Sequence, residues 1–244
     1  MNIFLKIKNA LKNSNKSYIE LKHHRKKSDD IYSLAILQSL LVGYPYLPLN
    51  GGALRPVCIA YILNEIIINQ RQHILEFGSG ISTIIMARLL KKNGLNARIV
   101  TVEHNEAWAN NLKTYLKNED LLQFVEVVRV DLKEITTSMG AVHWYDYKAL
   151  SMAIKEMTFD LIIIDGPPAN TSKLKHSRLP ALERFAPNFK ADFCLVLDDV
   201  HRKGEQDLVA FYKGKNKNVS YEIISETLGV FRTTNKFNPI PIHY

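Results

Sequence analysis

Between residues 73 and 198, five short runs rich in Ile, Val, Leu and Phe are separated by longer stretches, several of them with helical spacing. Such runs bury their side chains best in a parallel sheet covered on both faces, and parallel neighbours need a crossover connection, usually a helix. The pattern predicts strands at 73–77, 98–103, 124–130, 159–165 and 193–198, with helices at 82–92 and 105–117. In the second helix Trp108, Leu112, Tyr115 and Leu116 share one face. Residues 221–233, with Gly229 near their centre, read as a closing pair of strands. The expected class is therefore α/β: a mostly parallel sheet of about seven strands with helices on both faces and an N-terminal helical extension.

The 244 residues suffice for one substantial core and a modest extra segment. Three units are expected: a basic helical arm at 1–27, a helical lead-in or cap at 28–70, and the α/β domain at 71–244. Within the lead-in, one helical pattern covers 28–41, prolines and glycines from Gly43 to Gly52 force a loop, and another helix covers 56–69. The arm holds eight Lys/Arg against the single acid Glu20, which accounts for +7 of the net charge of +8. Its residues Ile3, Phe4, Ile7 and Leu11 form an apolar stripe, favouring a helix docked on the domain over contact with a membrane or nucleic acid. Cys58 and Cys194 sit far apart in apolar runs, as thiols do in a reducing compartment. Lysines interrupt the start too early for a signal peptide, and no run is long enough to span a bilayer, so a cytoplasmic location is expected, peripheral to a membrane if the arm engages one. His23-His24 lack metal-ligand partners at suitable spacing and read as a solvated face.

The first strand runs into Glu76-Phe77-Gly78-Ser79-Gly80-Ile81-Ser82-Thr83, a glycine turn opening a helix. Glycines let backbone approach a ligand closely, and a helix N-terminus offers free N–H groups to an anionic end. The next strand ends in Glu103, at the spacing where dinucleotide-type folds place a carboxylate on ribose hydroxyls; its other reading is a cap for the following helix. Thr83 stands where the nucleotide fingerprint has its third glycine, which argues against a nicotinamide dinucleotide.

In order along the chain stand ILEFGSGIS, VEH, VRVDL, FDLIIIDGPP and LVLDDVHR. Together they resemble the successive motifs of class I S-adenosylmethionine-dependent methyltransferases, a Rossmann-like family, over roughly residues 50–235. The resemblance implies that Glu76, Gly78, Ser79 and Gly80 cradle the methionine part of the cofactor, with Ser82 near its carboxylate. It implies Glu103 on the ribose and Asp131 on the adenine amino group, although a strand-end Asp is also an ordinary turn residue. No aromatic follows Gly166-Pro167-Pro168, which disfavours nucleobase methylation.

Asp165 and Asp198-Asp199 follow the fourth and fifth apolar runs, so three carboxylates are expected to converge at adjacent strand ends. The arrangement resembles catechol O-methyltransferase and its relatives, which implies Mg2+ on Asp165, Asp198 and Asp199. The lysine that family carries three residues past its first Asp is replaced here by Pro168. Asp165 and His201 are the candidate catalytic residues, with Lys173 or Lys175 behind His201 as base. Asp199 has a second reading as a cap for a helix near Gly204, and the cluster 143–147 reads either as packing at the start of a crossover helix or as a wall of the adenine or acceptor pocket. The activity implied is O-methylation of a small-molecule or glycan hydroxyl. Two alternatives stay open: methylation of an RNA held by the basic arm, and a cofactor-binding or membrane-surface module without catalysis.

Overall fold

The computed structural model describes residues 3–234 and 237–242, with the backbone alone for residues 3–13, 15, 18 and 22. The side chains of the stripe Ile3, Phe4, Ile7 and Leu11 therefore lie outside the described residues.

Helix α1 (Ile3–Leu37) is a single unbroken helix, followed by a 3-10 turn at Gln38–Leu40 and then, after a loop, by α2 (Pro56–Ile68). The expected break near residue 27 does not occur, because no Gly or Pro precedes Gly43. Pro56 opens α2 at a position that needs no N–H donor. The chain then runs β1 (His73–Phe77), α3 (Ile81–Asn93), β2 (Arg98–Glu103), α4 (Glu106–Asn118) and β3 (Val125–Arg129). A hairpin of β4 (Leu132–Thr137) and β5 (Gly140–Tyr145) precedes α5 (Tyr147–Ile154), β6 (Phe159–Ile164), α6 (Leu179–Glu183) and β7 (Phe189–Leu197). Helix α7 (Lys203–Lys215), β8 (Ser220–Ile223) and β9 (Gly229–Arg232) complete it.

Seven strands form one sheet in the order β3-β2-β1-β6-β7-β9-β8, the first five mutually parallel and β9 antiparallel to both its neighbours. This is a Rossmann-like α/β sheet. Alternate residues of each strand enter opposite cores: Ile74, Ile99, Leu161 and Val196 pack with α2, α3 and α4, while Leu75, Val100, Ile162 and Leu197 pack with the hairpin, α5, α6 and α7. After β1 the chain builds outward through β2 and β3, then returns to place β6 on the other side of β1. The order reverses between β1 and β6, and ligands of such sheets bind beyond the carboxyl ends of the strands at that point.

The aromatic segment 143–147 differs from expectation. It is the second strand of the β4–β5 hairpin, and only Tyr147 begins α5. Gly140, at a φ of +110°, makes the reversal between Thr137 and Gly140; strand alternation buries Val142 and Trp144, and Tyr145, on the other face, is buried against Phe77. The lead-in is tied down by Arg88, whose buried guanidinium forks onto Glu119 at 2.7 Å from both nitrogens and donates to the carbonyl oxygen of Leu40 at 2.8 Å. Among the described residues no helix is long and apolar enough to cross a membrane. Cys58 and Cys194 are buried free thiols, and His23 and His24 are exposed.

Candidate active site

Strand β1 leaves the sheet at Gly78, whose N–H donates to Val102 O at 3.0 Å while Asp165 N and Gly166 N both donate to Phe77 O. The turns after β1 and β6 are thus in backbone contact. A Cβ on Gly78 would stand 2.7 Å from Gly166 N, and Gly78 has a φ of +92°, so glycine is required on both counts. A Cβ on Gly166 would stand 2.7 Å from Gly78 Cα and 2.8 Å from the Tyr145 hydroxyl.

Behind this turn lies Glu76, fully buried on the sheet. Its carboxylate accepts from Ser82 Oγ at 2.5 Å, from Thr101 Oγ1 at 2.7 Å and from Thr83 Oγ1. Burial raises its pKa and the three hydroxyl donors oppose the rise. Thr83 Oγ1 also accepts from Gly80 N at 3.0 Å, so the residue that replaces a third glycine ties the start of α3 to Glu76. Glu76 and Ser82 do not line the cavity in front of the turn; they brace it from behind. Their polar atoms satisfy one another.

The cavity in front has a volume of about 500 Å³. Its lining brings together Gly78, Ser79, Glu103, Asp165, Asp198, Asp199 and His201. Glu103 sits at the tip of β2 with its side chain nearly buried, accepting from Ser79 Oγ at 2.8 Å and from Asn105 N at 2.7 Å, with His104 Nδ1 at 3.1 Å. Burial would raise its pKa, but these three donors hold it below the usual glutamate value. Glu103 lines the cavity and fixes the turn into α4, but it is Asn105, and not Glu103, that caps the helix, by accepting from Trp108 N. Trp108 Nε1 donates to Ser79 O at 3.0 Å, which closes a loop of contacts between the two strand tips.

Asp131 is not brought to this cavity. Its exposed side chain pairs with Arg129 at 2.6 Å on the surface between β3 and β4, which lowers its pKa, and the adenine contact expected of it has no support in that position. Lys173 and Lys175 lie on an exposed loop and do not line the cavity either.

Asp165, Asp198 and Asp199 converge as expected, with one carboxylate oxygen of each lying within 4.8 Å of the others. Burial raises the pKa of Asp165 to about 8, reinforced by the neighbouring Asp198, and burial also raises Asp198. Asp199 does not cap a helix. It has a φ of +62°, α7 begins after Arg202 with no side-chain cap, and Asp199 Oδ2 instead meets Arg202 Nη1 at 2.6 Å and Arg178 Nη2 at 3.1 Å.

Arg178 escaped the sequence reading. It precedes α6, is 3% exposed, and reaches the middle of the acidic cluster. Nη2 lies 3.6 Å from Asp165 Oδ1, Nη1 lies 3.6 Å from Glu205 Oε1, and Nη1 and Nε donate to the carbonyl oxygens of Asp198 and Pro167 at 3.2 and 3.3 Å. The available signal was a charged residue directly before the apolar run Leu179-Pro180-Ala181-Leu182, which buries whatever leads into it. Lys26 and Arg55 were also missed. They line the cavity mouth, with Arg55 held by Asp30 at 3.1 Å and by the Lys26 carbonyl oxygen at 3.1 Å, so α1 supplies part of the wall.

Several solved structures share this architecture. An O-methyltransferase of Streptomyces achromogenes involved in tomaymycin synthesis, in complex with S-adenosylmethionine, is 15% identical, with 85% of this chain and 96% of that chain covered and a TM-score of 0.53. A Staphylococcus aureus protein assigned as a caffeoyl-CoA O-methyltransferase is 17% identical, with 91% and 99% covered and a TM-score of 0.54. A Podospora anserina methyltransferase bound to S-adenosylhomocysteine is 13% identical, with 84% and 88% covered and a TM-score of 0.52. No curated protein matches the chain. The family model of a methyltransferase domain matches residues 75–200, more than half the chain, from the middle of β1 to just past the tip of β7; the chain belongs to that methyltransferase family.

Proposed function

We propose that this methyltransferase binds S-adenosylmethionine in the cavity at the β1/β6 switch point and O-methylates a hydroxyl of a small-molecule or glycan acceptor. The observation that carries the reading is the Ser79–Glu103 hydrogen bond, which joins a glycine turn and an acidic strand tip into one cleft sized for a nucleoside. Glu103 is the acceptor for ribose hydroxyls, being ionised at neutral pH and open to the cavity. The Gly78–Gly80 turn takes the methionine end, where the α3 N-terminus favours a carboxylate. Solved relatives of the same fold carry S-adenosylmethionine or S-adenosylhomocysteine, which supports the cofactor.

The sulfonium methyl of the cofactor is already activated, so the protein's task is alignment of the acceptor oxygen and exclusion of water. Asp165 faces the cavity next to the Gly78 turn; its pKa, raised to about 8, leaves it largely protonated at neutral pH, so it orients an acceptor oxygen as a hydrogen-bond donor and takes a proton from a hydroxyl only as pH approaches that value. His201 also lines the cavity and is a second candidate base for the acceptor hydroxyl.

Calorimetric titration with S-adenosylmethionine and S-adenosylhomocysteine, followed by a methyl-transfer screen over sugar and catechol hydroxyls, tests the reading. Absence of binding to either nucleoside would sink it. The N-terminal half of α1 supports a further contact with an anionic membrane surface, given its charge, and pelleting with phosphatidylserine vesicles, with and without residues 1–22, tests that separately.

A further inference from the structure

We infer that Arg178 is the resident cation of the acidic cluster, a positioning residue that holds Asp165, Asp198 and Asp199 in place of a divalent metal ion. The donor set does not fit Mg2+ while the guanidinium is there. Asp199 Oδ2 is shared between Arg178 Nη2 at 3.1 Å and Arg202 Nη1 at 2.6 Å, and Asp165 Oδ1 lies 3.6 Å from the same Arg178 nitrogen. An ion about 2.1 Å from Asp199 Oδ2 would stand within about 5 Å of that nitrogen, charge against charge, and that oxygen is already shared between two guanidinium groups, whereas Asp198 Oδ1 is buried without a hydrogen-bond partner.

The guanidinium also does what an ion would do structurally. A metal gathers ligands from several elements onto one point. Arg178 gathers the carbonyl oxygen of Pro167 from the turn after β6, the carbonyl oxygen of Asp198 from the tip of β7, and the carboxyl group of Glu205 from α7. Its five N–H donors, in a rigid fork, suit this spread of acceptors in a way a lysine ammonium would not. Its polar atoms all contact protein groups although Arg178 also lines the cavity, and its positioning role is exerted through Asp165 and Asp199.

The methyl-transfer reading supplies the purpose of the cluster, but the cation assignment is tested apart from it. The full chain is titrated with Mn2+ and followed by electron paramagnetic resonance, as wild type, Arg178→Gln and Arg178→Lys, while S-adenosylmethionine binding is measured in EDTA and in Mg2+. The wild type is expected to leave Mn2+ free at about 10⁻⁴ M, a concentration that fills moderate oxygen-ligand sites. Arg178→Gln, which leaves the carboxylates without their cation, should bind Mn2+ at least about tenfold more tightly, whereas Arg178→Lys should continue to exclude it. A merely structural arginine predicts no such gain.

Wild-type Mn2+ binding at that concentration would overturn the inference, as would a folded Arg178→Gln protein that excludes Mn2+. If Arg178→Gln does not fold, Arg178→Met, which keeps the apolar stem and removes the charge, is titrated in its place, and its failure to gain Mn2+ binding would equally overturn the inference. Failure to bind S-adenosylmethionine in both EDTA and Mg2+ would count against the methyl-transfer reading and leave the cation assignment standing.

Discussion

Ser79 Oγ donates to Glu103 Oε2 at 2.8 Å across 24 residues of sequence, linking the turn after β1 to the tip of β2. The bond fixes the rotamer of a carboxylate that burial alone would protonate, and leaves it ionised in the cavity lining. Replacing Glu103 by Ala should weaken S-adenosylmethionine binding about ten- to hundredfold, the scale of a lost charge-assisted hydrogen bond. Ser79→Ala should cost less, because Asn105 N and His104 still orient the carboxylate. Calorimetry on the two variants checks the order, and an unchanged dissociation constant for Glu103→Ala would refute the ribose assignment.

The approach of Gly78 to Gly166 gives a prediction about stability. Gly78→Ala forces a Cβ to 2.7 Å from Gly166 N at a φ of +92°, and neither turn can retreat without breaking the hydrogen bonds to Phe77 O and Val102 O. A loss of about 2–4 kcal/mol is expected from strain and overpacking together. Gly94→Ala is the control: it shares the positive φ, at +61°, but has open space around the added methyl, and should cost about 1 kcal/mol. Denaturant unfolding of the two variants separates conformational strain from collision.

Asp165 predicts a pH dependence. Its folded pKa is raised from 3.8 to about 8, so between those values the folded chain binds a proton that the unfolded chain has released. Stability therefore falls as pH rises through that window, with no further change from this group above it. Asp198 and Glu205, also raised, contribute with the same sign, so Asp165→Asn should reduce the slope without abolishing it. Thermal melts of wild type and variant from pH 5 to 8.5 check this; equal slopes would show that Asp165 is ionised throughout.

Among the described residues, α1 reaches the cavity at Lys26, which lines it, and through the Lys26 carbonyl oxygen and Asp30, both on Arg55. Removing residues 1–20 should leave cofactor affinity within about twofold, since a lost surface ion pair such as Lys16–Glu20 is worth well under 1 kcal/mol. Removing residues 1–30 strips Arg55 of both partners and should lower affinity and melting temperature together. Equal effects of the two truncations would mean that the arm acts elsewhere on the domain.

Much of this architecture was legible in the sequence because strand burial imposes it. The runs at 73–77 and 98–103 form strands with those bounds, and Glu103, Asp165 and Asp198 stand at the strand tips where the alternation put them. What escaped depended on long-range contact. Residues 143–147 carry a pattern that a strand or a buried helix start can share, and pairing with β4 decided the matter. Arg178 carries only the local signal of a charge set before an apolar run, because its role depends on four carboxyl groups delivered from β6, β7 and α7. Asp131 looked equivalent to Glu103 as a strand-end acid, yet β3 lies at the edge of the sheet, where Arg129 claims it in solvent.

Three hydroxyls converge on Glu76 from α3 and β2, so the shape of the glycine turn is set when the chain folds, before any ligand arrives. A molecule entering there meets a finished wall and does not have to organise one. Its association should carry little of the unfavourable entropy of loop ordering, and backbone amides from Gly78 to Thr83 should exchange with solvent at nearly the same rates whether the cleft is filled or empty.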